Sequence, residues 1–269
     1  GMPEHGYDPR AELEWGYGSI LGDRDINEHC FNIIFTNVTA AFAFAKPMRL
    51  EAQQLVEIIA EKLSPYAKNR PEVLDFADAN MYSEDVARLV RWHRHYTRFW
   101  KQSALYCDLR WPDFYNTNTP DYRGATASDD AGEHVFWNAV TGEGISFEDG
   151  IERGRRIWNL DNAIWTLQGR HRDMVHFAPY VYETNFEKGE LFPFYMWPCR
   201  DEQGLWQYKD LMGRKLDKDK FEEFKSIFYR MEEWDVETGW PTRKLLADLK
   251  IDGVADTLEA AGRLGKERA

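Results

Sequence analysis

Residues Ser146 to Arg170, SFEDGIERGRRIWNLDNAIWTLQGR, decide how the rest of the chain is read. Ser146 followed three residues later by Asp149 is a capping-box start, and Gly169 supplies a left-handed stop. Between them Phe147, Ile151, Gly154, Ile157, Trp158, Ile164 and Trp165 recur at helical spacing, while Glu148, Asp149, Glu152 and Arg155 favour the other side. The stretch therefore predicts an amphipathic helix of about six turns. Trp158 and Trp165 give one side a large apolar area to bury, and Gly154 lets a neighbouring element come close. Periodicity alone makes it a core helix and nothing more.

Working outward, Glu133 to Val140 reads as a shorter helix, introduced by Ser128 and ending in Thr141-Gly142. Upstream, Glu51 to Ser64 places Leu55, Ile58, Ile59 and Leu63 on one face and stops at Pro65. Ser83 caps the next helix, with Glu84 and Asp85 in the first turn where the dipole favours them. Its buried stripe is Val86, Leu89, Val90, His93, Tyr96, Trp100 and Ala104, leading to Cys107. Downstream, Phe221, Phe224, Ile227, Phe228 and Met231 mark a further helix, and Asp252 to Ala269 a last, frayed one. Residues 3 to 45 read as irregular and glycine-rich, the kind of segment that is often functional. Phe31 to Phe35 and Phe177 to Tyr182 are the only short strand candidates, so the fold class is mostly α, built of irregular helical domains. The Pro-, Asn- and Thr-rich loop from Trp111 to Ser128 divides a subdomain at 3–120 from one at 121–269.

The bulk numbers exclude several classes. With 43% hydrophobic residues the chain has ample material for a core, but its net charge of -12 argues against a nucleic-acid or anionic-membrane partner. Cys30, Cys107 and Cys199 are odd in number and widely spaced, which suits a reducing cytoplasm better than a disulfide framework. The longest apolar run, Val38 to Ala45, is far short of the ~20 residues of a membrane span.

Three blocks, in order, carry a resemblance. Asp8-Pro9-Arg10, Gly16-Tyr17 and Arg24 to His29 lie along a "D-P-R, G-Y-A-T-S, R-G-x-x-H" stretch; Thr141-Gly142 and Gly154 to Leu160 along "TG, G-x-R-I-W-N-L"; and Trp234-Asp235, Gly239-Trp240-Pro241-Thr242, Leu245, Leu246 and Leu249 along "Y-x-x-x-G-W-D-x-x-G-x-P-T-x-x-x-L-x-x-L-G-L". Together they resemble the C-terminal helical domains of the aldehyde:ferredoxin oxidoreductase family. Asp25 replaces the glycine of the first block, and Glu233 replaces the first glycine of the third. These departures make the tungsten benzoyl-CoA reductase catalytic subunits at least as good a match as a true aldehyde oxidase.

The resemblance implies a tungstopterin or molybdopterin and a 4Fe-4S cluster, and a low-potential two-electron transfer coupled to protons. It implies as partners an N-terminal pterin-binding domain or subunit and a ferredoxin or other electron-transfer subunit, with a homo-oligomer also open. A four-iron cluster takes four thiolates, and relatives supply three from an upstream C-x-x-C-x-x-x-C that this chain lacks. Cys107 falls where relatives place the fourth, although Gln102 and Leu105 replace the aspartate and glycine of that "D-x-x-G-L-C". It is thus a candidate cluster ligand and cofactor contact, or else a buried small apolar residue. The isolated chain is expected to hold neither cluster nor metal, and to be inactive alone.

Glu28 and His29, with Asp23 and Asp25 nearby, are candidates for a catalytic acid and carboxylate beside a metal, or form a solvated acidic loop. His171 and His176, with Arg170 and Arg172, follow the central helix. They offer a proton donor and an anion clamp over substrate or pterin phosphate, or a surface loop whose arginines pair with carboxylates. His93 and His95, two apart on a helix, face different ways. The rival to an enzyme is a non-catalytic helical module that binds a partner subunit or a small aromatic ligand.

Overall fold

A computed structural model describes residues 8–22, 50–104, 116, 118–124, 132–187 and 194–267. In chain order the helices are α1 (Leu13–Leu21), α2 (Ala52–Lys62), α3 (Glu84–Tyr96), α4 (Glu133–Thr141), α5 (Phe147–Leu167), α6 (Tyr180–Glu183), α7 (Lys218–Met231), α8 (Arg243–Asp248) and α9 (Asp252–Ala260). One antiparallel hairpin joins β1 (Met196–Arg200) to β2 (Trp206–Asp210), so the chain is mostly α. Among the described residues no helix is long and apolar enough to cross a membrane.

α5 is the spine. Ser146 Oγ accepts the Asp149 amide at 3.0 Å while the Asp149 carboxylate accepts the Ser146 amide at 2.8 Å, closing the capping box. Gly169, at φ +104°, turns the chain away at the other end. The N-terminal half of α5 buries Phe147, Gly150, Ile151, Gly154 and Trp158. Its glycines set the spacing to α3: a Cβ on Gly154 would lie 1.8 Å from the His95 carbonyl oxygen, and one on Gly150 2.1 Å from the Trp100 ring. The C-terminal half departs from the apolar pattern. Ile164 is 45% exposed and Trp165 half-buried, whereas Asn159, Asn162, Ala163 and Thr166 are buried. The two asparagines are inside because each is hydrogen-bonded there: Asn159 Oδ1 accepts the Trp234 indole N–H at 2.7 Å, and Asn162 donates to the Gly239 carbonyl at 3.1 Å.

α3 follows its sequence signals. Ser83 accepts the Val86 amide, and Val86, Leu89, Val90, His93, Tyr96 and Trp100 are all buried. Thr97–Lys101 then continues α3 as a π turn, with Gln102 N–H bonded to the Thr97 carbonyl at 2.9 Å.

Two sequence expectations are corrected. Residues 13–21, read as part of an irregular segment, form α1, which is buried along nearly its whole length. Gly16 and Gly18 weaken helix propensity by about 1 kcal/mol each, but a Cβ would lie 2.3 Å from Pro9 at the first and 2.4 Å from Arg94 at the second. Close packing therefore outweighs propensity. Phe177 to Tyr182 is not a strand, since Pro179 introduces the short helix α6 there; Phe31 to Phe35 lie outside the described residues. The sheet forms instead from Met196↔Asp210 to Arg200↔Trp206, about a turn in which Asp201 accepts the Gln203 and Leu205 amides. It docks through Trp197, edge-on to Phe76 with centroids 4.5 Å apart.

One apolar cluster runs from Ala11 to Leu249, and a smaller one joins Ala163, Leu246, Ala255 and Leu258 under α8 and α9. Trp158 stacks on Trp234 at 5.9 Å and meets Trp165 edge-on at 5.6 Å. Glu233, just before Trp234, has φ +60°. This is the position held by glycine in the resembling motif, and a side chain there costs about 1–2 kcal/mol of backbone strain. The Glu233 carboxylate offsets part of it by accepting from Arg155 at 2.8 Å.

Candidate functional site

The loop after α5 is fastened from below, which leaves one histidine on its outer side. Arg170 donates to the Gly22 and Ile20 carbonyls at 2.6 and 2.8 Å, tying the end of α5 to the end of α1, and lies 4.9 Å from the Trp165 ring. Arg172 donates to Ser226 Oγ at 2.9 Å, to the Val236 carbonyl at 2.8 Å and to the Glu222 carbonyl at 2.5 Å. The guanidinium donors of both arginines thus meet backbone and side-chain acceptors of the protein itself. Lys225 adds bonds from its Nζ to the Val175 and Arg172 carbonyls at 2.8 and 3.2 Å, and pairs with Glu222 at 2.7 Å. His171 caps the turn Arg172–Met174, its Nδ1 3.2 Å from an Asp173 carboxylate oxygen and its ring edge-on to Trp240.

His176 is exposed, its Nδ1 3.1 Å from the Phe177 carbonyl, and it faces a cleft of about 620 Å3. Phe177 and Tyr182 supply aromatic wall, with Asp173, Glu183, Glu222 and Lys218 around it. Burial pushes the Tyr182 phenol up to about 12, so it stays protonated; its oxygen accepts the Phe177 amide at 3.2 Å, and its O–H is left to donate. An imidazole, a neutral phenol and carboxylates around an aromatic-walled space can hold a small uncharged molecule and exchange a proton with it.

A second set of groups, invisible to periodicity, is buried around α3. Lys62 Nζ lies 3.0 Å from Glu133, whose other oxygen accepts the Tyr96 O–H at 2.5 Å. His95 and Arg91 reach Glu232 at 3.1 and 3.2 Å, and Tyr66 O–H meets His95 Nδ1 at 2.7 Å. His93, on another face, lies beside Arg94. Glu14, on α1, is fully buried. Burial carries its pKa from an ordinary 4.5 up to about 8, against the lowering effect of nearby backbone amides and the Arg94 charge. The available signal is Arg94, Arg98 and Lys101 at i, i+4 and i+7, cations that recur along the apolar stripe through Val90 and Trp100 and call for acids on neighbouring elements.

The sign of the Glu14 shift gives a pH prediction. A carboxyl held neutral in the fold costs stability once the unfolded chain ionises, so its contribution falls as pH rises from 4.5 to about 8. Glu14→Gln removes that penalty. It is expected to leave stability unchanged near pH 4 and to raise it by a few kcal/mol at pH 8, each pKa unit being worth about 1.4 kcal/mol. Urea unfolding of both proteins at the two pH values checks this, and equal midpoints at pH 8 would refute it. His95 acts in the opposite sense: burial lowers its pKa despite Glu232, so it favours the fold as pH rises toward its ordinary 6.5. It is common to both proteins and cancels in the comparison.

The family model for aldehyde ferredoxin oxidoreductase, domains 2 & 3, matches residues 1–251. The chain belongs to the aldehyde ferredoxin oxidoreductase family. The matched region is the second and third domains of such an oxidoreductase, so this is part of an aldehyde ferredoxin oxidoreductase-type protein, whose full enzyme also has a first domain. The three motif blocks find structural roles. Asp8 and Arg10 form a buried ion pair at 2.6 Å ahead of α1, Gly154 of the second block lets α5 close on α3 at His95, and Trp234 to Thr242 wraps Trp158 and Asn162.

The family's four-iron cluster does not fit this chain alone. Four thiolates are needed, and the sequence has three cysteines. Cys199 is sealed on β1, where burial pushes its thiol up to about 12, so it remains protonated. Among the described residues no three His, Cys, Asp or Glu side chains are grouped to hold a metal ion. Glu28, His29, Cys30 and Cys107 lie outside the described residues.

Proposed function

We propose that this chain is the helical portion of a tungsten-pterin and iron-sulfur oxidoreductase, acting on an aldehyde or in benzoyl-CoA-type reduction, and completed by a first domain that carries the pterin site and most of the cluster thiolates. The observation behind this reading is the family match over residues 1–251. In it Cys107 is the thiolate this chain contributes, and Glu28 and His29 are an acid/base pair near the cofactor. His176 moves protons at the mouth of the aromatic-walled cleft, with the Tyr182 O–H orienting the substrate oxygen. Arg170 and Arg172 keep the loop in place and add positive charge behind it. A redox centre supplies the electron transfer; this chain binds substrate, excludes water and handles protons.

Metal analysis and a visible spectrum test the division of labour. The purified chain is expected to contain neither stoichiometric tungsten nor iron-sulfur absorbance, and co-expression with a pterin-binding first domain is expected to give a complex that contains both. Tungsten or cluster in the lone chain, or a complex without them, would overturn the reading. In the active complex His176→Gln is expected to lower kcat by about 10²–10⁴ with KM little changed and the pH profile flattened on one limb. An unchanged kcat would remove His176 from the mechanism.

The aromatic wall of Phe177 and Tyr182 supports a second reading, a non-catalytic module that holds a small aromatic ligand or a partner subunit. Its mark would be benzoate or benzaldehyde binding by the lone chain, lost in Tyr182→Ala, together with a co-expressed complex that never acquires metal.

A further inference from the structure

A separate cleft of about 390 Å3 opens between β2 and the first turn of α7. Four cations line it: Lys209 on β2, Arg214 and Lys215 on the connection, and Lys220 on α7. Three carboxylates line it as well, but each is engaged with the protein. Asp210 accepts the Tyr195 and Met212 amides at 2.9 and 3.2 Å, and Asp217 accepts those of Asp219 and Lys220 at 3.0 and 3.1 Å. Asp78 is shared between Arg214 Nε at 2.6 Å and Lys209 Nζ at 3.5 Å.

The cations are less fully engaged. Arg214 is 8% exposed and donates from Nη2 to the Phe76 carbonyl, while its buried Nη1 has no hydrogen-bond partner. A charged donor left open in the interior is costly unless an acceptor reaches it. Lys215 and Lys220 are exposed and form no ion pair among the described residues. The remaining wall is apolar, with Met81 and Leu211 buried and Tyr82 half-buried. Gly213, at φ +90°, leaves the rim open, since a Cβ there would meet nothing within 4 Å. On a chain of net charge -12, a local surplus of cations beside an apolar wall is a selective feature, because the rest of the surface repels anions.

We propose that this cleft binds a small phosphate ester, its phosphate between Lys215 and Lys220 against the Arg214 wall and its uncharged part over Met81 and Tyr82. The volume admits a molecule of mononucleotide size, and cationic side chains converging from a strand, a connection and a helix suit the several oxygens of a phosphate. The inference is independent of the redox reading, because among the described residues none lines both this cleft and the His176 cleft.

Isothermal titration of the full chain with inorganic pyrophosphate, adenosine 5′-monophosphate and ribose 5-phosphate tests it. At least one probe is expected to bind saturably at a Kd of about 1 mM or tighter, more weakly as salt is raised. Lys215→Ala/Lys220→Ala, two exposed positions whose replacement leaves the core intact, is expected to weaken binding about ten-fold or more. Tighter binding of the adenosine compound identifies an aromatic base over Tyr82, and equal binding of both esters identifies the phosphate alone; either supports the proposal. No saturable binding by about 10 mM, or the same Kd in the double variant, overturns it.

Discussion

Replacing Lys62 by alanine is expected to destabilise the protein by about 3–5 kcal/mol. The Lys62 and Glu133 side chains are 4% and 0% exposed, 3.0 Å apart, and the ammonium also lies 4.1 Å from the centre of the Phe147 ring. Burial alone would raise the Glu133 pKa; Lys62, Lys101 and the Tyr96 hydroxyl together hold it below its ordinary 4.5. Removing Lys62 leaves that carboxylate without its nearest cation, in a setting where water cannot replace the loss. A carboxylate with a depressed pKa contributes stability above pH 4.5 and loses it as the pH falls through the folded value. The difference between wild type and Lys62→Ala should therefore be largest at neutral pH and shrink on acidification. Replacing both partners, Lys62→Met with Glu133→Leu, should recover part of the loss, because the unpaired carboxylate is gone, although buried Lys101 loses the charge of Glu133 as well. Urea unfolding followed by circular dichroism reads all three, and a Lys62→Ala effect under about 1 kcal/mol would mean the pair is solvated.

Gly154→Ala is expected to cost about 3 kcal/mol or more. The added methyl would lie 1.8 Å from the His95 carbonyl oxygen and 2.8 Å from its carbon. Those are backbone atoms within α3, so no flexible side chain can swing aside. α3 and α5 must separate, which also loosens Trp100 against Gly150 and the His95–Glu232 contact at 3.1 Å. Gly253→Ala is the matched control. Nothing lies within 4 Å of a Cβ in that turn of α9, so better helix propensity should stabilise it by a few tenths to about 1 kcal/mol. Similar midpoints for the two variants would show that α3 and α5 are not in close contact.

What the sequence revealed depended on whether a signal was local. The Ser146 and Asp149 cap, the Ser83 cap and the stripe from Val86 to Trp100 are local, and each became the helix it implied. α1 was illegible because its glycines are explained by Pro9 and Arg94, partners that only the tertiary fold supplies. The hairpin was missed because strands of five residues leave little room for alternation and β1 carries Pro198. In the site, the loop holding His171 and His176 could be located by its place after the central helix, but not the division of labour within it. That Arg170 and Arg172 spend their donors on carbonyls of α1, α7 and the 236–238 segment follows from contacts 50 to 150 positions away in the chain. The buried acids opposite α3 were likewise unreadable, since Glu14, Glu133 and Glu232 come from three distant segments.

The π turn at Thr97–Lys101 amounts to one residue spliced into an otherwise regular α-helix. Each residue of an α-helix turns the chain by about 100°, so Gln102 to Ala104 emerge about a quarter-turn away from where the stripe through Val86 and Tyr96 would have aimed them. A one-residue deletion inside the turn is therefore a change α3 can absorb as a plain helix. Its effect would be felt downstream, as a rotation of Gln102 to Ala104 against the helices they follow.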